Sequence, residues 1–202
     1  MKTLTTFITI LFVSILSSPC WSETVAMDNL VERDGIFFEK LKSVPFTGTT
    51  DKGLARGSFK AGKKEGLWVY FWDDGNPISI SVNAKGKYIN GNREGLWKFF
   101  YINGQLVSKS TYKTGKQEGF TEFYHEDGNL WGNGYWKDGK QDGLWKIYFV
   151  PSELSKESVL YRKESWKDGK EDGIWEYYND DGTMILSTYK DGKLVSKEIV
   201  PK

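Results

Sequence analysis

Gly139-Lys140-Gln141-Asp142-Gly143-Leu144-Trp145 is a phrase that this chain writes five times. The other copies are Gly62-Lys63-Lys64-Glu65-Gly66-Leu67-Trp68, Gly91-Asn92-Arg93-Glu94-Gly95-Leu96-Trp97, Gly115-Lys116-Gln117-Glu118-Gly119-Phe120-Thr121 and Gly169-Lys170-Glu171-Asp172-Gly173-Ile174-Trp175. An aromatic stands three residues before the first glycine of each copy, and a sixth pair, Tyr189 and Gly192, follows without the phrase. These aromatics, Phe59, Tyr88, Tyr112, Trp136, Trp166 and Tyr189, recur every 23 to 30 residues. That is the period of an array of small supersecondary units.

Each unit holds two short runs of β-branched and aromatic residues between Gly-containing polar turns, the pattern of a β-hairpin. Asp74-Gly75, Asn103-Gly104, Asp127-Gly128 and Asp181-Gly182 supply turn residues that tolerate positive φ. Connections this short force consecutive strands to pair antiparallel. The expected fold is all-β, an elongated and twisted antiparallel β-meander of repeated hairpins. Alternation places Trp68 and Tyr70 on one face, with Leu67 and Phe71 on the other. One face is expected to form a dry stripe and the opposite face a partly exposed aromatic groove.

Residues 1–22 stand apart. Lys2 precedes an apolar run from Leu4 to Leu16, and a break at Pro19 leads to small residues at Cys20 and Ser22. This reads as a secretory signal peptide, too short to span a bilayer, with cleavage after Ser22 preferred and Ala26 a second candidate. A lipoprotein cysteine at Cys20 is the disfavoured alternative, because Pro19 and Ser17 make a poor lipid-attachment signal. The expectation is an exported protein, periplasmic or secreted, with no stable membrane insertion. Past Cys20 there is no cysteine, so packing and hydrogen bonds must hold the array.

The remaining chain divides into an N-terminal segment with a degenerate capping repeat (23–50), the array (51–194) and a C-terminal tail (195–202). One helical turn is expected around Met27–Val31, with strands starting at Gly35. Pro45-Phe46-Thr47-Gly48 reads as the atypical terminal unit that an array needs.

Composition argues against several functions. Lys plus Arg total 28 against 27 Asp plus Glu, interspersed along the chain, so nucleic acid and anionic lipid are poor partners. The recurring acids Glu65, Glu94, Glu118, Asp142 and Asp172 fall at turns, where turn chemistry explains them better than catalysis. His125 is the only histidine, which leaves almost nothing to build a transition-metal site. Neither Asp73-Asp74-Gly75 nor Asp180-Asp181-Gly182 has the alternating ligands of a calcium loop. No phosphate loop or nucleophile signature is present. No catalytic, cofactor or metal residue is expected, and the chain reads as a non-enzyme.

The phrase Gly-Lys-x-Glu/Asp-Gly-Leu-Trp followed by Tyr or Phe resembles the MORN repeat, and Lys137 to Gly143 and Lys167 to Gly173 resemble its bacterial variant. That variant is found in the YwqK family of antitoxins, whose first unit is similar to Pro45-Phe46-Thr47-Gly48. The resemblance covers residues 45–194. It implies a MORN-type array and a protein-interaction role, with an unknown protein partner; a toxin masked by an antitoxin or immunity protein is its concrete form. Gly66, Trp68, Gly95, Trp97, Gly119, Gly143, Trp145, Gly173 and Trp175 are the structural repeat residues, and Trp136 and Trp166 are expected in the same aromatic ladder. Trp72 and Trp131 fall off the period, and Thr121 replaces the Trp of the other copies. These three form the candidate interaction surface. A cell-wall or glycan-binding module of the bacterial envelope is the alternative.

Overall fold

A computed structural model describes residues 23–73, 81–149 and 158–202. Residues 1–22, read above as a signal peptide, the expected Asp74-Gly75 turn and most of the insertion between Val150 and Val159 lie outside them. At the N-terminus come β1 (Glu23–Thr24), a 3-10 turn (Met27–Asn29), β2 (Leu30–Arg33), β3 (Ile36–Glu39) and β4 (Gly48–Thr50). The array runs through β5 (Ala55–Lys60), β6 (Lys63–Phe71), β7 (Val82–Ile89), β8 (Asn92–Phe100), β9 (Leu106–Lys113) and β10 (Lys116–Tyr124). It continues with β11 (Leu130–Lys137), β12 (Lys140–Gln141), β13 (Gly143–Phe149), β14 (Val159–Lys167), β15 (Lys170–Glu171), β16 (Gly173–Tyr178), β17 (Met184–Lys190) and β18 (Lys193–Val200).

From β4 onward neighbours in sequence pair antiparallel in one open meander, as the short connections require. Three details differ from expectation. Strand structure begins at Glu23, well before Gly35, and the expected helical turn is cut to the three residues Met27–Asn29. β1 pairs parallel to β4, because the β2–β3 hairpin intervenes and returns the chain to the sheet edge. Residues 195–200 are no loose tail but most of β18, the last strand.

The phrase has a clear local meaning. Its first glycine closes a two-residue turn in which both residues have positive φ, as in Asn90 (φ 50°) and Gly91 (φ 82°). This turn geometry suits the right-handed twist of the flanking strands. Its acid then reaches forward to the next turn. Glu65 accepts from the Asn90 N–H at 2.9 Å, Glu94 from Thr114 at 2.9 Å, Glu118 from Asp138 at 2.8 Å, Asp142 from Asp168 at 3.2 Å and Asp172 from Asp191 at 3.3 Å. Beside each, a glycine N–H donates to the preceding unit, as Gly115 does to the Arg93 carbonyl at 3.0 Å. The turns therefore stack along one border of the sheet, each clasped by the unit before it.

The core is a row in which indole and small residue alternate across the strands, except at Thr121 and Glu164. Trp68 pairs with Gly86, Trp97 with Ser110, Thr121 with Gly134, Trp145 with Glu164 and Trp175 with Ser187. Trp68 and Trp97 are completely buried, and Trp145 and Trp175 nearly so. Each indole N–H donates to a carbonyl ten residues earlier, Ser58, Lys87, Tyr135 and Ser165 respectively, always at 3.1 Å. Aromatics of the turn-proximal row meet these rings edge-on, Phe59 on Trp68 at 85° and Tyr88 on Trp97 at 82°. Phe37 and Phe46 close the N-terminal end of the row by packing on Phe59. On the opposite face Leu67, Leu96, Phe120 and Leu144 are exposed.

Candidate functional site: an aromatic cleft along the rim

At the end of the strands away from the stacked turns, the pairing slips by one residue in successive hairpins. Phe99 pairs with Ser108 but Phe100 with Leu106, which leaves Val107 unpaired. The same slip leaves Trp131 between the pairs Phe123–Gly132 and Tyr124–Leu130, and Tyr161 between Ile147–Arg162 and Tyr148–Leu160. A bulge of this kind re-aims a side chain. Here it turns Trp131 and Tyr161 onto the face that carries the tryptophan row. Trp131 meets Phe123 edge-on at 5.7 Å, and Tyr161 meets Phe149 at 6.0 Å and Tyr177 at 6.4 Å. The last hairpin closed at this rim, β16–β17, pairs without a slip.

The result is a cleft of about 740 Å³ whose wall includes His125, Trp131, Ile147, Phe149, Tyr161 and Arg162, with Glu126 and Asp127 at its rim. A smaller hollow of about 290 Å³ adjoins it across His125 and Trp131, and runs on to Phe123, Val107 and Tyr101. Trp131 is 41 % exposed and Tyr161 40 %. The aromatic groove expected on the opposite face therefore lies on the same face as the dry stripe, one row nearer the rim. Bulging, invisible to strict alternation, accounts for the difference.

The expected surface residues part company here. Trp131 is in the cleft. Trp72 stands two residues past Tyr70, the position held by Tyr101, His125 and Phe149 in later units, and it is half-buried with its indole N–H on the Phe100 carbonyl at 3.2 Å. It ties two units together in the same rim row. Thr121 is corrected outright: at 1 % exposure it belongs to the core and cannot meet a partner. Ser110, its cross-strand neighbour, is equally buried, so Ser110, Thr121 and Gly134 form three small residues in succession where the row elsewhere alternates with indole.

Arg162 is the residue that sequence reasoning missed. Its Nε stands 2.5 Å from Glu164 Oε1 as an ion pair, and its guanidinium lies 5.9 Å from the Tyr161 and Tyr177 ring centres. Glu164 is 4 % exposed and also accepts the Trp166 indole N–H at 2.9 Å. It occupies the position that Gly57, Gly86 and Gly134 hold beneath Trp68, Trp97 and Trp145. The side chain there changes the packing above it. Trp166 and Trp175 meet at 50°, against 84° for Trp136 and Trp145. Burial pushes the Tyr177 phenol up, the Arg162 charge opposing it. The signal in the sequence was the acid itself, set where its counterparts are glycine.

Among the described residues no three His, Cys, Asp or Glu side chains gather as a metal site would require. The cleft offers ring faces, hydrogen-bonding edges and carboxylates, which suit binding. No curated protein matches the chain. Residues 93–114, from the Arg93 end of β8 through β9, match the family described as MORN repeat variant, which supports a MORN-repeat protein.

Proposed function

We propose that this chain is a non-enzymatic binding protein that grips a partner protein in the rim cleft around Trp131 and Tyr161. MORN repeats commonly serve as protein-interaction modules, in keeping with this reading. The observation that carries it is the exposure of two large aromatic rings in a concave cleft, on a face where the periodic tryptophans are buried. Exposed rings in a concavity are the kind of residue that anchors interfaces. With residues 1–22 read as a signal peptide, the protein acts outside the cytoplasm, and a periplasmic immunity partner that masks a toxin is the form that joins export to the resemblance. A glycan is the second reading, favoured by the same two rings, since sugars also stack on aromatic faces.

The test compares capture of envelope proteins by the unaltered protein, by a Trp131→Ala/Tyr161→Ala variant and by Leu96→Ala on the opposite face. A defined partner retained by Leu96→Ala and lost by the cleft variant is expected. Capture unaffected by the cleft variant would remove the cleft from consideration.

A further inference from the structure

Charge decides what the cleft accepts. Its guanidinium is already neutralised: Arg162 is paired with the buried Glu164. The rim carboxylates form no ion pair among the described residues, with the His125 imidazole beside Asp127. Asp127 accepts from the Asn129 N–H at 2.9 Å and from the Asn129 side-chain amide at 3.0 Å, and these bonds hold its carboxyl below the usual range, so it stays anionic. Glu126 takes part through its backbone, whose carbonyl accepts from Asn103 at 3.2 Å, and its carboxylate has no partner among the described residues. Aromatic faces present negative potential as well. Trp131, Phe149 and Tyr161 thus add to the field of Glu126 and Asp127, and the cleft favours a cation while opposing an anion.

We infer that the cleft recognises a basic side chain, an arginine or lysine carried by an extended segment of the partner protein, held over the Trp131 and Tyr161 rings with its charge toward Glu126 and Asp127. This rests on the reading of the cleft as the partner-binding surface. The adjoining hollow past His125 gives room for flanking residues of that segment, with Phe123 and Val107 on its floor. Arg162 and Glu164, paired in the far wall, leave no net charge there, so the end of the cleft at Glu126 and Asp127 is the one that takes the cation.

The experiment follows the tryptophan indole signals of the protein by proton–nitrogen NMR, with the Trp131 signal assigned through Trp131→Phe. N-acetyl-arginine amide and N-acetyl-lysine amide are titrated against N-acetyl-citrulline amide, which has nearly the same shape without charge, and against N-acetyl-glutamate amide. Choline chloride forms a separate arm. The expected result is a saturable Trp131 shift with arginine or lysine amide and at least about 5-fold weaker binding of citrulline amide. Glu126→Gln/Asp127→Asn should weaken arginine binding by a similar factor, with the buried indoles unmoved; Asn at 127 keeps the turn, as Asn103 does in the preceding unit. Equal binding of citrulline, preference for glutamate, or choline binding tighter than either amide would overturn the inference. If the double variant still captures a partner that Trp131→Ala/Tyr161→Ala loses, the partner-binding surface stands and the charge assignment fails.

Discussion

The indole of Trp97 lies flat on the α-carbon of Gly86, so close that a Cβ there would stand 2.2 Å from the ring. Gly57 under Trp68 and Gly134 under Trp145 leave the same clearance, 2.3 and 2.2 Å. In each case the glycine precedes its tryptophan by eleven positions. Gly86→Ala must then displace a buried indole together with its hydrogen bond to Lys87, and overpacking of this kind costs about 1–3 kcal/mol. Urea denaturation should show that loss, and an unchanged midpoint would mean that the ring is not seated as described.

The converse change removes the ring. Trp97→Ala should cost about 3 kcal/mol, as large-to-small core substitutions do, and should loosen the adjoining units because each repeat rests on its neighbours. Trp131→Ala, half-exposed at the rim, should cost less than about 1 kcal/mol. Parallel melts of the two variants decide whether burial or binding holds each tryptophan.

Thr121 and Ser110 test the pairing from the other side. A tryptophan at 121 would meet the Cβ of Ser110, eleven positions earlier, so Thr121→Trp alone should destabilise the protein. Adding Ser110→Gly should recover more than about 1 kcal/mol of that loss, a coupling that distant sites do not show. Additive effects in a double-mutant cycle would break the rule of glycine beneath indole.

Gly143 has φ 92°, where a β-branched side chain is strained, and its new Cβ would touch the Cβ of Tyr135 at 3.8 Å. The space is adequate but the backbone is not. Gly143→Val should therefore cost more than about 1 kcal/mol through conformation alone. Thermal melts beside Gly143→Ala would register the difference.

Acid should weaken the clasp between turns. The Lys190 ammonium and the Asp191 N–H hold the Asp172 carboxyl below its usual range. A depressed carboxylate contributes stability that is present above the ordinary carboxyl pKa, about 4, and lost as pH falls through the folded value. Midpoints for the unaltered protein and Asp172→Asn should therefore differ at neutral pH and converge in acid. A gap that widens as pH falls would reverse the sign.

The hairpins were legible because Gly-Lys-x-acid-Gly-Leu-Trp carries both turn chemistry and alternation in seven residues. The burial of Trp68 and Trp97 followed from the same alternation. Trp131 announced itself by falling off the period, but its side of the sheet depends on a one-residue slip that pairing alone reveals. Thr121 was read as a surface departure because the missing Trp was visible and its partner was not. Ser110, standing where Gly86 stands under Trp97, held that information eleven residues away on another strand. Arg162 and Glu164 stayed hidden for the same reason, since a charged pair in a strand reads as solvent-facing until cross-strand register shows that Glu164 lies beneath an indole.

The seating of each indole on an earlier glycine also limits how such a chain can grow by duplication. Gly86 and Trp97 enclose the Asn90-Gly91 turn within one hairpin, so a gene break at that turn would separate the ring from its seat and pair it with an arbitrary residue. Breaks at Asn103-Gly104, Asp127-Gly128 or Asp181-Gly182 transmit the couple whole. Viable copies should therefore begin and end at the rim turns, and the heritable module of this array is the span from one rim turn to the next.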